Sequence, residues 1–334
     1  MPHDERFPWT RREAIGAGLA AIAAAATGST SAAQTAATDA APLPKPAPTG
    51  RSRALRLAHL TDIHVEPERQ AEAGLVSCLH HVQSQSDKPE LILTGGDHVM
   101  DAFDQKEPRR ALLGDLWQRT MKRECSTPVR SCIGNHDIWG WGSAHSGCKG
   151  DEPSFGKSFS LDLLGLSRRF SSFDQAGWHF ILLDSVQRKG DGYFAEIDPE
   201  QWDWLEKDLA AKPAEVPTVV LSHVPILSIT PYALSERRKG DSLSVPVDLM
   251  HADGLRLHHL LRGRNVRLCL SGHIHLLDRC EMDGVTYLCD GAVSGNWWKG
   301  PHKGLAEGYG LVDLYTDGSF DHRYVPFGWV AAKA

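Results

Sequence analysis

The tetrapeptide Gly134-Asn135-His136-Asp137 closes a short apolar run, residues 128–133, and four other motifs fall into order around it. Upstream stand Asp62-Ile63-His64 and Gly95-Gly96-Asp97. Downstream stand Ser222-His223-Val224-Pro225 and Gly272-His273-Ile274-His275. Residues 55–60 run into Asp62, 91–94 into Gly96-Asp97, 219–222 into His223 and 268–271 into Gly272-His273. A short apolar run that stops at glycine and polar residues reads as a buried strand ending in a loop. In open α/β sheets, ligands gather beyond the carboxyl ends of the strands. The pattern therefore brings Asp62, His64, Asp97, Asn135, His223, His273 and His275 toward one place. Imidazole, carboxylate and amide oxygen suit borderline and hard metal ions. These are too many ligands for one tetrahedral ion and fit two ions sharing a bridging carboxylate. With 17 histidines in 334 residues, one His-x-His is unremarkable; five ordered motifs are not.

The ordered set Asp-x-His, Gly-Asp, Gly-Asn-His-Asp, His and Gly-His-x-His resembles the calcineurin-like metallophosphoesterase superfamily, and within it bacterial class III cyclic-nucleotide phosphodiesterase-like proteins. The resemblance covers residues 55–275 and, more loosely, the C-terminal part. It implies a four-layer α-β-β-α sandwich of two mixed β-sheets with flanking helices. It also implies one ion held by Asp62, His64, Asp97 and His275, and a second by Asp97, Asn135, His223 and His273. Asp97 is the bridge, because one carboxylate can offer an oxygen to each ion. Iron, manganese and zinc all remain open, since no ligand is soft. His136 is implied to act on substrate, stabilising the pentavalent state or protonating the leaving oxygen. Asp137 either orients His136 or caps the loop. The family often carries a second aspartate three residues after the bridge; here Asp101 comes four after, which argues against a supporting role. His98 is assigned none.

The implied activity is hydrolysis of a small-molecule phosphate ester by a hydroxide bridging the ions, with a phosphodiesterase favoured. A phosphate-scavenging phosphomonoesterase is one alternative, and a non-catalytic metal-dependent binding protein on the same scaffold is another. No Gly-x-Ser-x-Gly elbow supplies a serine nucleophile.

The rest of the chain frames this core. Residues 1–33 read as a twin-arginine signal peptide: Arg11-Arg12 precede a weakly apolar stretch, 14–27, with small residues up to Ala33. That stretch is too short and alanine-rich for a stable membrane span. The expected location is periplasmic or secreted, with the twin-arginine export machinery as a targeting partner. Residues 34–53 are rich in Ala, Pro and Thr and read as a linker, leaving 54–334 as the catalytic domain. A net charge of -6 without a basic tract gives no nucleic-acid footprint.

A helix is expected after the first motif, with Ala73, Leu75, Val76, Leu79 and Val82 on its buried face, and a second over 109–125. The glycine-rich loop 138–157 is a candidate rim, its Trp139 and Trp141 either stacking on substrate or packing inward. The same two readings hold for Trp297 and Trp298. Of seven cysteines, none are spaced Cys-x-x-Cys, which argues against a cysteine-bound zinc. Cys78, Cys132 and Cys269 read as buried thiols.

Overall fold

The computed structural model describes residues 51–234, 238–239 and 242–332. The expected signal peptide and most of the expected linker lie outside these residues. Along the chain run β1 (Arg53–Leu60), α1 (Ala71–Gln83), β2 (Leu91–Thr94), α2 (Glu107–Glu124), β3 (Val129–Ser131), α3 (Ser143–Ser146) and α4 (Lys157–Leu164). Next come β4 (Ser171–Gln175), β5 (Trp178–Leu182), β6 (Val186–Lys189), β7 (Gly192–Ala195), α5 (Pro199–Ala211), β8 (Thr218–Leu221) and α6 (Thr230–Leu234). The chain continues through β9 (Arg238–Lys239), β10 (Ser242–Leu243), α7 (Gly254–Leu261), β11 (Val266–Ser271), β12 (Asp278–Met282), β13 (Val285–Cys289), β14 (Gly308–Tyr315) and β15 (Phe320–Pro326). The first strand thus starts at Arg53, one residue ahead of the expected boundary. Arg51 is already anchored, its guanidinium 2.7 Å from Asp321.

Two mixed sheets carry the fold. The first has the order β15-β14-β1-β2-β3 and the second β12-β13-β11-β8-β5-β4. In the first, β1, β2 and β3 are parallel while β14 and β15 are antiparallel additions. In the second, β13, β11, β8 and β5 are parallel, flanked by antiparallel β12 and β4. Side chains alternate across each strand. Leu55 and Leu57 of β1 pack with Leu91, Leu93, Phe180, Leu182, Val219, Leu221, Leu268 and Leu270 in the layer between the sheets. Ala58 and Leu60, one residue out of phase, pack with Leu75, Leu79, Leu113 and Leu116 of α1 and α2. On the far side, Ile181, Val220 and Cys269 meet Trp202, Leu205, Leu257 and Leu261 of α5 and α7. Strands buried on both faces read as continuous apolar runs, which explains why they were visible in the sequence. The result is the four-layer sandwich.

Helix ends follow local chemistry. Pro199 opens α5, and the Asp198 carboxylate before it accepts the Gln201 amide at 2.9 Å. In α1 the buried positions are Ala71, Gly74, Leu75, Cys78, Leu79 and Val82. Ala73 is exposed and Val76 half-buried, against expectation. The inward face is rotated to Gly74, where Trp298 lies so close that a β-carbon would collide with its ring. Trp139 and Trp141 are both buried, at 3% and 7% exposure, so the packing reading of that loop holds. All seven cysteines are free thiols. No helix among the described residues is long and apolar enough to cross a membrane.

Candidate metal centre

The five motifs leave the carboxyl ends of β1, β2, β3, β8 and β11, and the loops are stitched together by backbone hydrogen bonds. Asp62 N donates to Gly96 O at 3.1 Å and His64 N to Asp97 O at 2.9 Å. Gly272 N donates to His223 O at 3.0 Å. Two glycines permit the approach. At Gly134 a β-carbon would overlap the amide and carboxylate of Asp97; at Gly272 it would overlap Thr61 and the Asp62 carboxylate. Asp62, His64, Asp97, His273 and His275 all have positive φ, 54°, 49°, 54°, 71° and 58°. After β1, β2 and β11 these left-handed residues swing their side chains toward the shared centre, a conformation uncommon outside glycine, asparagine, aspartate and histidine.

Two clusters result, with Asp97 belonging to the second and touching the first. Asp62, His64 and His275 bring donor atoms within 4.8 Å of one another, as do Asp97, His223 and His273. A third such set, His64, Asp97 and His136, joins them. The Asp97 carboxylate lies 3.3 Å from His223 Nε2 and 3.7 Å from His64 Nε2. Asn135 Oδ1 is 3.0 Å from His223 Nε2.

The hydrogen bonding of the histidines decides what the centre is for. The Nδ1 of His64 lies 3.3 Å from Met100 O, that of His223 2.8 Å from Gly95 O and that of His275 2.8 Å from Gly295 O. A carbonyl can only accept, so each Nδ1 carries a proton, and in the neutral, ligating form of the ring each Nε2 presents a lone pair inward. His64 Nε2 and His275 Nε2 then face each other at 3.1 Å, and His223 Nε2 faces His273 Nδ1 at 3.2 Å. Opposed lone pairs repel unless a cation lies between them. His273 Nε2 is buried without a partner.

The charges agree. Burial opposes ionisation of Asp62 and Asp97, yet the surrounding imidazoles, His275 for Asp62 and His223 for Asp97, hold both below the usual carboxylate range. Burial, helped by the neighbouring His136, pushes His64 down to about 3; burial and His223 push His273 down to about 4. Both are therefore neutral, as metal ligation requires. His223 is raised to about 9, because the pull of Asp97 exceeds the effect of burial. A positive charge is thus drawn to the space between Asp97, Asn135 and His223, the position the second ion would take. The all-nitrogen-and-oxygen donor set fits two borderline or hard ions.

His136 stands at the rim, 28% exposed. Its amide donates to Asp97 Oδ1 at 2.8 Å, its ring meets His64 edge-on at 4.8 Å, and its Nδ1 has no hydrogen-bond partner. Asp137 does not orient it. The Asp137 carboxylate instead accepts the amides of Asp97, His98 and Gly134 at 3.0, 2.8 and 2.9 Å, and lies 2.8 Å from His98 Nδ1. Asp137 is the loop cap of the two readings, and His98 is its brace. The carboxylate nearest His136 Nδ1 is Asp101, at 3.6 Å, despite its unusual spacing. The turn after Asp97 brings it back, and the Ala102 amide donates to His136 O at 2.8 Å. Burial raises the Asp101 carboxyl to about 6, against the opposing pull of His136.

The adjacent tryptophans differ in burial and in what they touch. Trp298 is core and donates Nε1 to His64 O at 3.0 Å. Trp297 is half-buried, its ring 4.6 Å from His275 and 6.0 Å from His64. It and His136 line a cavity of about 390 Å³ together with Glu66, Asp101, Arg109 and Lys299.

This sandwich, with two metal-binding clusters at the strand ends, defines a metallophosphoesterase. Residues 55–277 match the calcineurin-like phosphoesterase family, and the chain belongs to it. It is 27% identical over 288 residues to a probable cyclic nucleotide phosphodiesterase of Rhodococcus erythropolis, covering 81% of this chain and 83% of that one. It is 28% identical over 164 residues to a 3′,5′-cyclic-nucleotide phosphodiesterase of Nostoc sp., covering 47% of this chain and 55% of the relative. A dimetal phosphatase from Danio rerio shares the fold, with a TM-score of 0.55, 13% identity, and coverage of 83% of this chain and 100% of that one. The chain is a metal-dependent phosphoric ester hydrolase.

Proposed function

We propose that this chain is an exported phosphodiesterase whose two ions are held by Asp62, His64, Asp97 and His275 and by Asp97, Asn135, His223 and His273. One observation carries the reading. Three imidazoles are fixed through Nδ1 to backbone carbonyls and aim Nε2 at two buried carboxylates. When bound, the ions would lower the pKa of bound water toward neutrality, making hydroxide available, and would neutralise charge on the phosphoryl oxygens. Iron, manganese and zinc all match these donors.

The chain's own residues do the rest. Asp97 ties the two clusters together and fixes the His136 backbone. His136, at the rim, protonates the departing oxygen, and Asp101 beside its Nδ1 sets the ring orientation. The cavity beside His136 and Trp297 gives room for the second substituent of a diester, and the names of the relatives agree. Arg11-Arg12 and the apolar stretch after them support export by the twin-arginine route.

The test is turnover by the protein from Gln34 onward on an aryl phosphate diester and the matching monoester, each with added manganese. A strong diester preference is expected, with 3′,5′-cyclic nucleotides the next substrates to try. A strong monoester preference would replace the reading with a scavenging phosphatase. Absence of turnover with two ions bound would overturn it.

A further inference from the structure

Outside the five motifs, one polar side chain reaches the centre with no partner of its own. Tyr193 lies on β7 of the β6–β7 hairpin, a segment without any motif. Its ring meets His273 edge-on, centroids 6.2 Å apart and planes at 79°. It also meets Phe103 edge-on at 5.8 Å, and Phe103 in turn meets the buried Trp141 at 6.2 Å. The ring is thus wedged between the loop after Asp97 and the loop that carries His273. Its hydroxyl makes no hydrogen bond to any described residue. Buried or half-buried tyrosines ordinarily find a partner for that group. The hydroxyl here is a fixed donor without an acceptor.

A phosphate ester supplies the acceptor. In the transition state charge spreads over three equatorial oxygens, and a preoriented donor in a water-poor site stabilises that charge without reorganising. On the His273 side the ring of His273 itself has an unpartnered Nε2, and Tyr193 brings an uncommitted hydroxyl there. We propose that the Tyr193 hydroxyl donates a hydrogen bond to a phosphoryl oxygen of the bound ester on the His273 side of the centre. This assignment rests on the hydrolase reading of the same site.

Tyr193→Phe tests it, because the variant keeps the ring against His273 and Phe103 and removes only the hydroxyl. Two readouts are needed: kcat/KM on an aryl phosphodiester, and the affinity of inorganic phosphate as a binding probe for the metal-loaded protein. The expected result is a fall in kcat/KM of about 10–100-fold and weaker phosphate binding by about 5–10-fold, with metal content and Tm unchanged. Both values within twofold of the parent would overturn the proposal. Loss of metal in Tyr193→Phe would also overturn it, since the hydroxyl would then serve the ligands and not the ester. A parent protein that turns over no ester would defeat the hydrolase reading, while the phosphate affinities would still judge Tyr193.

Discussion

Two regions of this molecule place histidine among carboxylates, and they do so in opposite ways. Around His179, on the outer strands of the second sheet, each ring nitrogen has its own anion: Nδ1 is 2.6 Å from Asp174 and Nε2 2.9 Å from Asp208, which also takes the Ser172 hydroxyl. The result is a complete ion-pair cluster. At the strand ends the Nδ1 atoms of His64, His223 and His275 go to neutral carbonyls, and their Nε2 atoms face other ring nitrogens. One arrangement satisfies a proton; the other leaves space for a cation. Composition does not separate them, since both contain histidine and aspartate. The difference lies in which nitrogen is tied down and what the other one faces.

The largest expected effect breaks the metal side of this comparison. Asp97→Ala should abolish turnover and cut bound metal from two ions per chain to at most one, read by elemental analysis of the purified protein. His136→Ala should lower turnover by about 10²–10⁴-fold with both ions retained. Loss of metal in that variant would make His136 a ligand.

A third cluster lies between the extremes. Asp290 is fully buried and bonds His59 Nδ1 at 2.7 Å and His322 Nε2 at 2.8 Å. Burial would raise its carboxyl, but His322 and His59 draw it down to about 2. A depressed carboxylate contributes stability that is present above its unfolded value near 3.9 and lost as pH falls through the folded one. Asp290→Asn should therefore cost about 2–3 kcal/mol at pH 7 in denaturant unfolding, and the difference should shrink between pH 4 and pH 2.

The smallest effect belongs to His179. Burial opposes its protonation, but Asp208 and Asp174 raise it. A raised histidine stabilises fully below its unfolded value near 6.5 and loses that contribution as pH climbs through the folded one. Because Asp174 is open to solvent, His179→Gln should cost only about 1 kcal/mol at pH 6 and approach zero at pH 9. Metal content and turnover should not change. A change in either would mean that the two regions are linked.

The sandwich was legible because its central strands are apolar on both faces and its motifs are local, two to four residues long, at strand ends. The grouping of the proposed ligands was legible for the same reason. What escaped was set by distant contacts. His59 and Asp290 are 231 positions apart, and nothing in either neighbourhood announces the other. Tyr193 comes from a hairpin whose short strands carry no long apolar run. Asp101 stands 3.6 Å from His136 Nδ1 through the turn after Asp97, a proximity that spacing along the chain does not announce. Trp297 and Trp298 are adjacent and alike in type, yet one faces the centre and the other the core. Both have positive φ, 49° and 63°, which no composition rule foretells.

The left-handed residues at the strand ends have a consequence for how the protein can change. Each such non-glycine position carries a backbone cost of order 1 kcal/mol, and five of the proposed ligands share it. Random drift that favours thermal robustness would replace these residues with glycine or asparagine and relax the loops. Selection for hydrolysis must oppose that drift at every one of them. The centre is therefore where a lineage released from its substrate would decay first, with the apolar sandwich beneath it left intact.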